Sequence, residues 1–135
     1  MDQTVLVSSG HALLRALDDA RLSPRLAMWV HSSDTDTWKL WIVPPEGIND
    51  KREFYRRAAE IIAKHRTDLG DLSASDIEMV SDKHPGVRGI TRFLYAPGLT
   101  SARFSGNTFN GFYLPSGVIL RTAIDRRASQ RADVQ

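Results

Sequence analysis

The chain has 135 residues, with 18 lysines and arginines against 16 aspartates and glutamates, and it has no cysteine. This length predicts one domain that can bury a core without cross-links, and the lack of cysteine excludes disulfides and thiolate metal sites and fits a reducing compartment. No basic segment precedes the short apolar run at residues 5–7, so we expect neither a signal peptide nor a membrane span, and a cytoplasmic location.

The excess positive charge is confined to the end of the chain. Four basic and two acidic residues lie in residues 121–135, which leaves 14 of each in residues 1–120. A balanced body with a basic tail weakens a nucleic-acid function argued from bulk charge.

The first predicted elements are a helix and a hairpin. Leu13, Leu14 and Leu17 form an apolar stripe that predicts a helix over residues 8–21, ended by Pro24. Two strands within residues 25–44 follow, joined by a loop of turn-forming residues at Ser33–Thr37.

The hairpin carries an unusual number of tryptophans. Side chains alternate across a strand, which predicts one wholly apolar face that belongs to the core. The other face is expected to hold Trp29 and Trp41 beside His31 and Lys39. A sheet with one buried face does not need two tryptophans on the other, so we expect something to cover them.

The second half of the chain alternates helices and strands. Asp50 and Glu53 have capping-box spacing at the start of a helix that extends to about residue 66. A short strand near residues 77–80 follows, and then a helix that begins at Pro85. Strands are predicted near residues 103–107 and 112–114, then a turn at Pro115–Gly117 and a last strand over residues 118–122.

These elements predict an α+β fold. We expect a single domain over residues 1–124, with a mostly antiparallel sheet of about five strands, about three helices and the order α-β-β-α-β-α-β-β. Residues 125–135 have almost no large apolar side chains, which predicts a disordered basic tail.

One group of polar residues in the C-terminal third resembles a binding site. Arginine and asparagine side chains together bind a carboxylate or phosphate through charge-assisted hydrogen bonds. The same residues are typical of structural turns, and both interpretations stay open. The candidate site residues are Arg92, Arg103, Ser105, Asn107, Asn110 and Tyr113.

A second candidate surface is the tryptophan face of the hairpin. Its residues are Trp29, His31, Lys39 and Trp41. Three explanations are open: coverage by the Pro85 helix or the N-terminus, a homodimer interface, or a platform on which nucleic-acid bases stack.

The sequence contains no recognisable catalytic or cofactor motif. None of the four histidines has a metal-ligand spacing to another histidine or a carboxylate, and no phosphate-binding loop or nucleophile motif appears. We therefore expect no catalytic residue, no cofactor and no metal, and we lean away from an enzyme.

The chain resembles a family of small bacterial proteins of unknown function. The resemblance lies in the opening amphipathic helix, the tryptophan hairpin around Ala27–Val30 and Trp38–Leu40, and the segment Arg103–Asn107 followed by Asn110-Gly111. It also includes Tyr55 and the pair Asp76-Ile77. The resemblance covers the chain except its tail and implies a stand-alone bacterial domain, without an activity.

Together these observations favour a non-catalytic protein that acts through protein–protein contact, with its own homodimer as one form. One alternative is a small nucleic-acid-binding or ribonuclease-like protein that uses the basic helix at residues 51–66 with Arg103 and Arg121. The other is a small-anion binder at the Arg103, Asn107 and Asn110 cluster.

Overall fold

The computed structural model describes residues 3–109 and 111–124 and shows an α+β protein. Its helices are α1 (Gln3–Asp19), α2 (Lys51–Lys64), α3 (Arg66–Leu69) and α4 (Pro85–Phe93), with a single 3-10 turn at Ala74–Asp76. Its strands are β1 (Leu26–Ser32), β2 (Thr37–Val43), β3 (Ile77–Met79), β4 (Ala102–Phe109) and β5 (Phe112–Thr122).

The described strands form one sheet in the order β3-β2-β1-β5-β4, in which only the β2–β3 pair is parallel. The predicted fold class and element order are confirmed, and the one-turn helix α3 is an addition. The tail predicted at residues 125–135 lies outside the described residues.

Helix boundaries follow local capping chemistry. The carboxylate of Asp50 accepts a hydrogen bond from the backbone N–H of Arg52 at 2.9 Å, which satisfies one free donor at the start of α2. Glu53 does not complete the predicted capping box; it pairs with Arg56 instead. Helix α1 begins at Gln3, several residues before the predicted start.

Helices cover both faces of the sheet. Leucines of α1 and Phe54 and Ile62 of α2 pack on the face that carries Trp29 and Leu40. On the other face, Val87 and Ile90 of α4 pack against side chains such as Met28. Because β1 lies in the middle of the sheet and is covered on both sides, all its residues from Leu26 to Val30 are buried.

The predicted grouping of the hairpin side chains was wrong. Trp29 lies opposite Leu40, and Trp41 lies opposite Met28, so the two tryptophans are on opposite faces of the sheet. The reason is the loop. Ser32 pairs with Thr37, which leaves four residues in the turn rather than five, and Asp36 closes it with a φ of 51°. A shift of one residue in the pairing exchanges the two faces of a strand.

The turn predicted at Pro115–Gly117 is also wrong, because β5 continues through it from Phe112 to Thr122. Gly117 faces Val30 on one side and Phe104 on the other. A Cβ at Gly117 would overlap the carbonyl oxygen of Trp29 and the ring of Phe104. The glycine therefore permits close strand packing here and does not mark a turn.

Candidate functional site

The β4–β5 hairpin folds over α4 and brings a chain of aromatic rings together. The ring of Phe109 lies 6.3 Å from that of Phe93 at the end of α4, and 5.4 Å from that of Phe104. Phe109 is paired with Phe112 across the hairpin. The contact between Phe93 and Phe109 thus packs α4 against the β4–β5 hairpin.

His84 connects this cluster to the middle of the sheet. Its ring lies 4.6 Å from the ring of Phe112 and 5.0 Å from that of Trp41. Its Nδ1 accepts a hydrogen bond from the backbone N–H of Gly86 at 3.1 Å, which caps the start of α4. A Cβ at Gly86 would lie 3.3 Å from both the His84 and the Phe112 ring, so a side chain there would crowd the junction.

The outer part of this aromatic cluster is exposed. Phe93 is 75% exposed, Tyr113 59% and Tyr95 58%. Of the six exposed large hydrophobic side chains among the described residues, only Val5 lies outside residues 93–113. Two of these rings, Phe93 and Phe112, adjoin Phe109, and we call them the aromatic surface. Exposed apolar side chains that lie close together are typical of an interaction site.

The segment that builds this surface contains no acidic residue. Residues 83–124 include five basic side chains and neither aspartate nor glutamate. By contrast, residues 3–82 hold 13 acidic and 10 basic side chains. Acidic and basic residues are therefore nearly equal in total number but unevenly distributed along the chain. The balance within residues 1–120 did not reveal this uneven distribution, although counting the two segments separately does.

One of those five basic residues is not available at the surface. Arg121 is 6% exposed, and its guanidinium donates two hydrogen bonds of 2.8 Å to the carboxylate of Asp18 on α1. The hydrogen bond from Arg121 is the main reason that the pKa of Asp18 is below its usual value. This pair fastens β5 to α1, so Arg121 belongs to the core and not to a phosphate-binding face.

The residues predicted as an anion site lie on different parts of this region. Arg92 lies in the last turn of α4. Arg103 is paired with Val118, whose side chain lies on the α1 face, so Arg103 and Ser105 point away from α4. Tyr113 lies next to Gly106, where a Cβ would be 3.4 Å from its hydroxyl. The side chain of Asn107 and all of Asn110 lie outside the described residues.

The residues predicted as a tryptophan interface do not form one surface. Trp29 is 2% exposed, and its indole N–H donates to the carbonyl of Leu6 on α1 at 2.8 Å. On the same face, Nε2 of His31 lies 2.9 Å from a carboxylate oxygen of Asp36. Trp41 is half-buried on the opposite face. Lys39 donates to the carbonyl of Ser75 at 2.7 Å.

The basic helix α2 is partly neutralised by its own carboxylates. Arg56 forms ion pairs with Glu53 at 2.7 Å and with Glu60 at 2.6 Å. The hydrogen bond from Arg56 lowers the pKa of Glu53. Arg56 is thus paired and Arg121 is buried, so these two arginines are not free to bind phosphate. The nucleic-acid alternative stays a prediction for the other basic residues of the helix and for Arg103.

A separate cleft of about 430 Å³ lies between the first half of α1 and the segment after α2. Its walls carry hydroxyl groups from residues such as Ser8 and Thr67 and the carboxylates of Asp68, Asp71 and Asp76. Asp76 is already used, since it accepts from the backbone N–H of Ser73 at 2.9 Å. Within residues 3–109 and 111–124, no group of three or more metal-binding side chains is placed to hold a metal ion.

No protein-family model matches the chain, and neither a curated protein nor a solved structure matches it. The resemblance to a family of small bacterial proteins therefore stays a prediction. None of the helices in the described part of the chain is long and apolar enough to cross a membrane.

Proposed function

We propose that this protein acts by binding another protein through the aromatic surface and the neighbouring strand β4. The observation that carries this proposal is the position of the exposed apolar side chains, which lie almost entirely within residues 93–113. We propose this region as the interface instead of the tryptophan face of the hairpin, because α1 covers Trp29.

The composition of the surface supports a protein partner. Aromatic side chains and arginine are enriched at protein interfaces and in their binding hot spots, whereas aspartate, glutamate and lysine are depleted. Residues 83–124 match this composition, with six phenylalanine and tyrosine residues, four arginines, one lysine and no acidic residue. The absence of acidic side chains favours a partner that carries negative charge.

The packing of these rings supports a preorganised contact. Phe93 packs against Phe109 and Phe112 packs against His84, so both exposed rings have a half-buried neighbour. Rings held by such contacts lose little conformational entropy on binding.

Single-stranded nucleic acid is the second candidate ligand, because aromatic rings beside arginines also stack bases. Phe93 and Tyr95 lie beside Arg92 in the sequence. This candidate predicts that oligonucleotide affinity, measured by fluorescence anisotropy, falls steeply as salt rises.

Site-specific photocross-linking tests the proposal. p-Benzoylphenylalanine is placed at position 93 and, as a matched control, at position 52 on α2, where Arg52 is exposed on the other side of the sheet. We expect discrete protein adducts in cells only from position 93, and an adduct of twice the chain mass from purified protein if the partner is a second copy. Equal adducts from both positions, or none from position 93, would contradict the proposal.

A further inference from the structure

The sheet has two edge strands, and they differ in their hydrogen bonding. At β3, the backbone N–H of Met79 donates to the hydroxyl of Tyr55 at 2.7 Å, and the N–H of Ile77 donates to the carbonyl of Ala74. Both groups are thereby satisfied within the molecule. Edge strands treated in this way resist pairing with another chain.

The other edge strand, β4, is not closed in this way. Beyond its pairing with β5, the backbone of Ala102–Ser105 forms no hydrogen bond with another described residue. Gly106 has a φ of 58°, so the backbone leaves the extended conformation there, although pairing with β5 resumes at Asn107. The four residues before it form a continuous extended edge. An unpaired edge of this kind is a template for one more strand.

The side chains of this open edge alternate in chemistry. Arg103 is exposed on the face away from α4 and forms no ion pair or hydrogen bond with a described residue. Phe104 lies on the α4 face and contacts Phe109, which in turn contacts Phe93. A strand added here would meet a cation on one face and apolar rings on the other.

We propose that the partner adds to β4 as a further antiparallel strand, through an extended segment in which one acidic residue lies between two apolar residues. This inference rests on the proposed function and specifies the partner's chemistry. The acidic side chain pairs with Arg103, and the apolar side chains pack beside Ala102 and Phe104. A second copy of the chain is a poorer occupant, because it would place two acid-free segments against each other.

The test uses the full-length protein and a short blocked peptide in which valine and glutamate alternate. We expect saturable binding, with slowed hydrogen exchange at those amides of residues 102–105 that point away from β5 and unchanged exchange at β3. A peptide of the same sequence that is N-methylated at alternate nitrogens is the control for backbone pairing, and a valine–lysine peptide is the control for charge. The N-methylated peptide should not bind measurably, and the lysine peptide should bind at least about five-fold more weakly than the glutamate peptide.

Charge reversal at Arg103 sharpens the result. Arg103→Glu should weaken binding of the glutamate peptide by about five-fold or more and should strengthen binding of the lysine peptide. Arg52→Glu on α2 is the matched control and should change neither affinity. Because Arg103 is exposed, this variant should keep its thermal stability.

Four results would overturn the inference. Binding that survives N-methylation would show a contact made by side chains alone. Exchange protection of β4 that rises with protein concentration, without peptide, would identify a second copy as the occupant. Protection by oligonucleotide, but not by peptide, would identify nucleic acid. If cross-linking from position 93 persists while the peptide fails to bind, the aromatic contact stands and only the strand addition fails.

Discussion

The half of the molecule around β3 is closed, whereas the half around β4 is open. In the closed half, α1 and α2 bury their leucines against the sheet and Tyr55 covers the outer edge of β3. In the open half, a nine-residue helix covers its face, and Phe93 stays 75% exposed. The comparison indicates that the large apolar side chains of the first half are mostly covered within the molecule, whereas several in the second half, above all Phe93, are exposed.

The largest difference should appear on deletion of a leucine side chain. Leu40→Ala removes a fully buried side chain beneath α1 and should lower the free energy of unfolding by about 2–5 kcal/mol. Leu99→Ala is the matched control, because Leu99 is 37% exposed, and should cost less than about 1 kcal/mol. Urea denaturation measures both values. Equal losses would contradict the difference in burial between Leu40 and Leu99.

A smaller effect should follow from breaking the pair between α1 and β5. Asp18→Asn leaves the guanidinium of Arg121 without its counter-ion and should cost about 1–2 kcal/mol at neutral pH, since the Asp18 carboxylate is partly exposed.

The same pair predicts a pH dependence. Arg121 lowers the pKa of Asp18 in the folded state. The ion pair therefore stabilises the folded protein at pH values above the pKa that Asp18 has in the unfolded chain, and this stabilisation is lost as the pH falls below about 4. The difference in stability between wild type and Asp18→Asn should therefore shrink in that range. A constant difference between pH 7 and pH 2 would contradict the assignment.

A still smaller loss of stability should follow from removing the hydroxyl group that covers the β3 edge. Tyr55→Phe removes the acceptor for the Met79 amide and should cost about 1 kcal/mol. Hydrogen exchange at Met79 should become faster. Tyr113→Phe removes an exposed hydroxyl and serves as the control. If the Met79 amide stays protected in the first variant, another group closes that edge.

The smallest change in stability belongs to the proposed contact surface. Phe93→Ser should alter the free energy of unfolding by no more than about 0.5 kcal/mol, because the ring is mostly exposed. Calorimetric unfolding measures this change. A loss well above 1 kcal/mol would assign Phe93 to the core and remove the main support for a contact surface.

Local signals in the sequence predicted most elements but not their relation in space. Asp50 and Pro85 located two helix starts correctly, because capping acts within a few residues. The faces of the hairpin depended on one residue of loop length, which the run of turn formers from Ser33 to Thr37 did not specify. Pro115 and Gly117 are residues typical of turns and so predicted one, but pairing with the neighbouring strands keeps this segment within β5.

The candidate site divides in a similar way. The lack of acidic residues in residues 83–124 is visible in the sequence and predicts a positively charged region. The exposure of Phe93 is not visible, because its spacing from Ile90 and Val87 is also that of a buried helical face. Only the placement of the hairpin over α4 decides which rings are covered.

The uneven distribution of charge has a kinetic consequence. Strands β3 and β4 lie at opposite edges of the sheet. Residues 3–82, which include β3, hold 13 acidic and 10 basic side chains, whereas residues 83–124, which include β4, hold five basic side chains and no acidic one. The charge is therefore distributed unevenly between these two parts of the chain, although the net charge is only +2. If the partner at the β4 edge is negatively charged, as proposed, this uneven charge would turn that edge toward the partner before contact. Salt would weaken the effect, because the electrostatic screening length is only about 8 Å at physiological ionic strength.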